Sequence, residues 1–411
     1  MSSRARLSRV SIVALLVSVA FSGFARAEMA ISANDGKVKL VDGVVQVQKD
    51  GKDTVSFIDL DANPPKVVAE IEAPTSVVGP PMSVAVGPKE DFAIVTGAMK
   101  VSPADPTKQI PDNKVTVIDL ATEGAGIVGT LKKATGIGTP PAPRTPKILA
   151  TLEAGAGAAG VSINKTGTLA LVANRNEGTV SVFTIAGKTL TAAGKVDLGN
   201  KDAGPSHVVF TPDGKSALVS RDADHKISVL SIDGTKVEYT KRDMNAGLRP
   251  YGLDISGKGD VAVVANIGIG QGDNDTVSVI DMAATPSRVV STVTVGQTPE
   301  GIKMSPDGKF VAVAVMNGSN KPAASPFYKA NGLLQVYSRN GTQLTKFAEV
   351  PVGKWCQGIA WNRKSTLILV QCMVEEEIYV FKLSGLTSKG LSKVGTIKTK
   401  GGPAGIRTAE K

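Results

Sequence analysis

One pattern returns seven times along the 411 residues and restricts the fold more than any other feature. An apolar strand opening on a small residue leads through a turn into a second apolar strand. A connection then leads into a third strand of the Thr-Val-Ser-Val-Ile-Asp kind. This third strand is the easiest to count: residues 54–59, 115–119, 179–183, 227–230, 276–281, 333–337 and 378–381. Its alternation and β-branched content suit a half-buried strand. The first strands give the same number, beginning at Ser83, Gly160, His207, Gly252, Gly301, Gly358 and Gly405. Most of these starts lie 45 to 57 residues apart, with one interval of 77, the spacing of a four-stranded blade with its loops.

These counts predict an all-β, seven-bladed β-propeller of four-stranded antiparallel blades over residues 28–411. No segment of helical period competes with it. The propeller region opens on a second-strand sequence at 29–34 and closes on a first-strand sequence at 404–407. The C-terminal strand is therefore expected to join the first blade and close the ring, leaving no exposed sheet edge.

Ahead of the repeats, Arg4, Arg6 and Arg9 precede an apolar run at 10–20, and Ala25, Arg26 and Ala27 form a small-x-small site. Residues 1–27 are read as a cleaved signal peptide, which implies a periplasmic or secreted protein. No later run is long and apolar enough to be an integral membrane segment. Loss of the signal removes four arginines and no acids, so the formal charge falls from +10 to +6. With aromatics at 4 %, that field makes nucleic acid or another polyanion a weak, salt-sensitive partner at best.

Two histidines and no C-x-x-C-H exclude covalently attached c-type haem and weigh against a His-rich metal site. Neither Asp222, Asp224 and His225 nor Asp273 and Asp275 have the fixed spacing of a metal loop, so no metal and no cofactor is expected. The two cysteines allow a sharper statement. If the seventh blade turns near 362–365, antiparallel partners carry numbers summing to 727 or 728, and Cys356 with Cys372 fits. A disulfide between adjacent strands is expected, with a pair of buried thiols as the alternative.

The Val-Ala-Asn ends of second strands at Asn174 and Asn266, the Ser-Pro-Asp-Gly-Lys turn at 305–309 and the Thr-Val-Ser-Val-Ile-Asp strands resemble YVTN-type β-propeller repeats. The wider superfamily they resemble is that of lactonase-like seven-bladed propellers, and the resemblance covers nearly all of residues 28–411. The stretch 204–214 is similar to the Gly-Pro-Arg-His pattern of those propellers, with Ser206 in place of the Arg and Thr211 in place of a second His. Hydrolysis on this resemblance would use His207 as general base on water, Arg249 as oxyanion partner and Glu300 to orient the imidazole.

Strand direction assigns the loops to faces. The long second-to-third connections 35–53, 100–113, 267–275 and 317–331 share one face, while a single long loop, 121–146, lies on the other. Such asymmetry marks the first face as a binding surface. The channel mouth there is expected to hold Met82, His207, Arg249, Tyr251, Glu300, Trp355 and Gln357, converging on a small ligand. The favoured expectation is an exported, non-catalytic scaffold that binds an unknown protein, polymer or small molecule. A lactone hydrolase centred on His207 is the alternative, and weak polyanion binding a second one.

Overall fold

The computed structural model describes residues 27–120, 145–385 and 390–410. Most of the signal segment and of the 121–146 loop lies outside the described residues. Seven four-stranded antiparallel sheets are present, and a two-stranded hairpin, Val38–Val41 with Val44–Val47, is added to the first. The innermost strands of blades 2 to 7 are Val84–Val86, Ala158–Ile163, Pro205–Phe210, Pro250–Ile255, Pro299–Met304 and Cys356–Trp361. Blade 1 takes its innermost strand from the other end of the chain. Gly402–Arg407 pairs with Met29–Asp35, with Ile406 opposite Ser32 and Gly405 opposite Ala33.

Seven apolar clusters hold the ring, one between each pair of neighbouring blades. Side chains alternate between the two faces of a strand, so each blade serves two interfaces: Ile31 packs toward blade 2, while Ala30 and Ile58 pack toward blade 7. This is why the inner strands read as nearly unbroken apolar runs, and why contacts are made almost wholly with the next blade.

The repeat sequence has a local cause. Asn174 closes a second strand and donates from Nδ2 to Thr179 Oγ1 (2.8 Å) and Ser181 Oγ (2.9 Å), while its Oδ1 accepts from the Gly155 amide. Asn266 makes the same bonds to Thr276, Ser278 and Gly247, and Asn34 bonds Thr54 and Ser56. One buried side chain thus ties the second strand to the Thr and Ser of the third, which fixes their recurrence together. In blade 7 the equivalent register position is Cys372, which lies opposite Cys356 and is bonded to it. A covalent link occupies the place of the asparagine latch.

Two of the connections expected as long loops are instead ordered strands. Residues 100–113 prolong blade 2 as an extended ladder, with Val101 paired to Gln109. Residues 35–53 carry the hairpin of blade 1, anchored where Lys37 bridges Asp35 (3.2 Å) and Asp53 (2.7 Å).

Candidate active site

A bulge at the start of most innermost strands positions the side chains at the axis. In blade 6, Pro299 pairs with Val315 and Gly301 with Ala314, which leaves Glu300 as the extra residue. Ser206 is the extra residue of blade 4, and one residue is likewise inserted around Tyr251 in blade 5 and Gln357 in blade 7. A bulge re-aims a side chain away from the ladder, and the proline at the head of several of these strands needs no ladder hydrogen bond.

On the loop-rich face, Arg249, Tyr251 and Glu300 come together with Arg175, which the sequence reading left out, and Asp222, which it weighed only as a metal ligand. Asp222 is 1 % exposed and pairs with Arg175 (2.6 Å) and Arg249 (2.7 Å). The Arg175 guanidinium lies 5.3 Å from the Tyr251 ring centroid, over its face. It also donates to Ser206 Oγ. A cation from the neighbouring blade therefore reaches the position where the lactonase-like pattern has its own arginine. Arg249 occupies a corner at φ 57°, where blades 3 and 4 use Gly157 and Gly204. A bulky residue held in that left-handed region is a local cost retained where a site needs it.

Glu300 is the chemical centre of this group. It is 7 % exposed, and its Oε2 accepts no hydrogen bond. Burial pushes its carboxyl up to about 8 against the pull of Arg175 and Arg249, with Asp222 adding to the rise. Asp222 moves the other way: burial would raise its pKa, but the two guanidinium groups outweigh it and hold the carboxylate ionised. Burial likewise raises the Tyr251 phenol, which stays neutral. Two acids in one mouth are thus driven apart, one poised near neutrality and one fixed as a counter-ion.

The remaining expected mouth residues lie elsewhere. Trp355 belongs to an apolar cap with Val38, Val77, Met316, Met373 and Ala404, which the blade 1 hairpin helps to build over one half of the mouth. Asp42 at the hairpin tip accepts from the Ala323 amide (2.7 Å), tying blade 1 to the blade 6 loop. Gln357 is buried, with Nε2 donating to the Val77 carbonyl at 3.4 Å. Met82 is also buried, and a Cβ at Gly252 would fall 2.6 Å from its Cε. Its side chain therefore crosses the axis from blade 2 to blade 5.

His207 does not share a site with Glu300. It lines a cavity that opens among the first-to-second-strand turns on the opposite face, together with Arg407. The reason is register: His207 stands one residue beyond the bulged Ser206, at the position that Gly252 takes in blade 5. The trio of His207, Arg249 and Glu300 is accordingly divided, and Arg175 and Asp222 stand where the histidine was expected. His225 is exposed and accepts from the Arg249 amide (3.3 Å), so it buttresses the corner.

Among curated proteins none matches the sequence significantly. Solved structures match its fold closely. A putative 6-phosphogluconolactonase from Bacteroides fragilis aligns with a TM-score of 0.66 at 17% identity, covering 93% of this chain and 98% of its own. The periplasmic gluconolactonase of Pseudomonas aeruginosa gives 0.64 at 14% identity, covering 92% and 99%. A functionally unknown protein from Desulfotomaculum acetoxidans gives 0.65 at 14%, covering 93% and 99%. A family model described as lactonase, 7-bladed β-propeller, matches residues 112–249 and 199–335, together more than half of the chain. These matches correct the expectation of a non-catalytic scaffold and favour its hydrolase alternative. The chain belongs to the lactonase family of seven-bladed β-propellers.

Proposed function

We propose that the protein hydrolyses lactones at the loop-rich mouth, with Glu300 as the proton-transfer group. The observation that carries this reading is a buried carboxyl, poised near pH 8 with a free oxygen, beside two arginines. Family membership and the lactonase names of structural neighbours support the same chemistry.

The reaction follows from these groups. Ionised Glu300 takes a proton from water as the water oxygen attacks the lactone carbonyl, and the carbonyl electrons move onto oxygen. Arg175 and Arg249 each keep N–H donors beyond those spent on Asp222, and these donors stabilise the oxyanion. Collapse of the intermediate breaks the bond to the ring oxygen, which receives the proton back from Glu300 and leaves as the hydroxyl of the hydroxy acid. A base poised near the working pH suits both transfers. Tyr251 and Asp222 hold the arginines and do not exchange protons.

Export belongs to the same proposal, supported by the basic-then-apolar start and by the disulfide. The decisive experiment follows acid release from glucono-δ-lactone and related sugar lactones in a pH-stat, corrected for spontaneous opening. Turnover by the wild-type protein and its loss in Glu300→Gln are expected. Equal rates for the two proteins would exclude Glu300, and absence of turnover across the panel would exclude the activity.

A further inference from the structure

Trp355 and Gln357 stand two residues apart on the capped side of the mouth, and each keeps one buried polar atom without a partner. Trp355 holds the corner of blade 7 at φ 47°, the place that Arg249 takes in blade 5 at φ 57°. The same backbone bond fixes both corners, from the Met373 amide to the Trp355 carbonyl (3.2 Å) and from the Ile267 amide to the Arg249 carbonyl (3.0 Å). The Trp355 amide is spent as well, on Ser319 Oγ (3.1 Å). What remains is the indole N–H. Trp355 is 8 % exposed, and its Nε1 has no hydrogen-bond partner. A buried indole N–H ordinarily finds an acceptor, as Trp361 Nε1 does on the Lys303 carbonyl (3.1 Å).

Gln357 supplies the complementary group. It is 1 % exposed, and its Oε1 accepts no hydrogen bond. The Val77 carbonyl fixes which way the amide points, because it faces Nε2 at 3.4 Å and needs a donor there. Val77 also belongs to the cap that holds the Trp355 ring, so both side chains meet around one residue. The strand that carries Glu300 packs directly on that of Gln357, since a Cβ on Gly301 would fall 1.8 Å from the Gln357 carbonyl oxygen. One desolvated donor and one desolvated acceptor together match a hydroxyl group, which accepts and donates at once.

We propose that Trp355 and Gln357 read a ring hydroxyl of the lactone, which accepts from Trp355 Nε1 and donates to Gln357 Oε1, and that they thereby select hydroxylated lactones over alkyl lactones. The inference rests on the hydrolytic reading of the mouth and adds the residues that choose the substrate. An alkyl lactone leaves both buried groups unpaired, the condition under which a polar site discriminates most strongly.

The test has a binding arm and a kinetic arm. The chain has two tryptophans, so protein labelled with ¹⁵N at the indole nitrogens gives two signals, with Trp361 as the internal reference. It is titrated with gluconate and, as the hydroxy acid without ring hydroxyls, with 5-hydroxypentanoate. Gluconate is expected to move the Trp355 signal saturably and 5-hydroxypentanoate to leave it in place. Glu300→Gln should keep this response while losing turnover, and an intact response with undiminished turnover would sink the hydrolytic reading alone. In the kinetic arm, Trp355→Phe keeps an aromatic ring in the cap and removes the N–H. Its kcat/KM for glucono-δ-lactone should fall about tenfold or more relative to that for δ-valerolactone. Gln357→Met should do the same, and the double variant should lose little more than either, because both groups serve one hydroxyl. The proposal is overturned if gluconate leaves the Trp355 signal in place, if 5-hydroxypentanoate matches it, or if Trp355→Phe slows both lactones equally.

Discussion

The two ends of the central channel are made from the same strands, yet they differ in how their charges are settled. At the loop-rich mouth Asp222 pairs with both arginines, and the unsettled group is an acid, Glu300. At the far end Asp254 and Glu410 pair with Lys303 and act on Arg407 as well, and the group with an unpartnered atom is a neutral imidazole, His207. A bulge separates the two arrangements by one register step. The lesson is that position along a strand sorts chemistry here more strongly than membership of a blade.

The largest expected effect tests that separation directly. Glu300→Gln should lower lactone turnover by about a thousandfold, within the range for loss of an acid–base group, whereas His207→Asn should cost far less. Equal losses in the two variants would merge the two ends into one site. Next, Arg175→Met removes an oxyanion donor and half of the counter-charge on Asp222. A fall in kcat of about a hundredfold is expected, and a change confined to KM would make Arg175 a binding group only.

Away from both ends, replacing Cys356 and Cys372 with alanine opens a short loop and should lower unfolding stability by about 3 kcal/mol in the chain-entropy account. Turnover at temperatures well below unfolding should persist, and its loss would link blade 7 to the mouth. The smallest effect sharpens the assignment of Glu300. Because the fold raises its pKa, the stabilisation from its protonated form is complete below the unfolded value of 4.5 and is lost as pH rises through about 8. Relative to wild type, Glu300→Gln should therefore gain about 2 kcal/mol in stability between pH 6 and pH 8. Hydrolysis by wild type should climb over the same interval as the base form appears, and denaturant titrations that run parallel for the two proteins would show that Glu300 does not titrate there.

The ring was legible because blades share physical solutions, a latch asparagine with its Thr and Ser partners in blades 1, 3 and 5 and a Pro-Asp-Gly turn in blades 4 and 6. Asp213 Oδ1 accepts from Thr211 Oγ1 (2.6 Å) and the Lys215 amide (3.0 Å), with Gly214 at φ 69°. Arg249, Tyr251 and Glu300 were legible too, since they follow from aligning the strand starts. Arg175 and the place of Asp222 in the mouth were missed because both sit just past the second strands, in a column that the repeat hides. That column reads Asp35, Arg175, Asp222, Ile267, Met316 and Met373 in blades 1 and 3 to 7. Its charged members in blades 3 and 4 line the polar side of the mouth, and its methionines in blades 6 and 7 belong to the apolar cap. The depth of His207 depended on a bulge, which counting residues from a conserved-looking turn does not reveal.

A propeller is often pictured as an open pipe, but here the Met82 side chain reaches across toward Gly252 and narrows the bore. If the mouth hydrolyses lactones as proposed, departing hydroxy acid and arriving lactone would share an entrance that the blade 1 hairpin half roofs. Slow egress there would throttle turnover however fast the bond is broken.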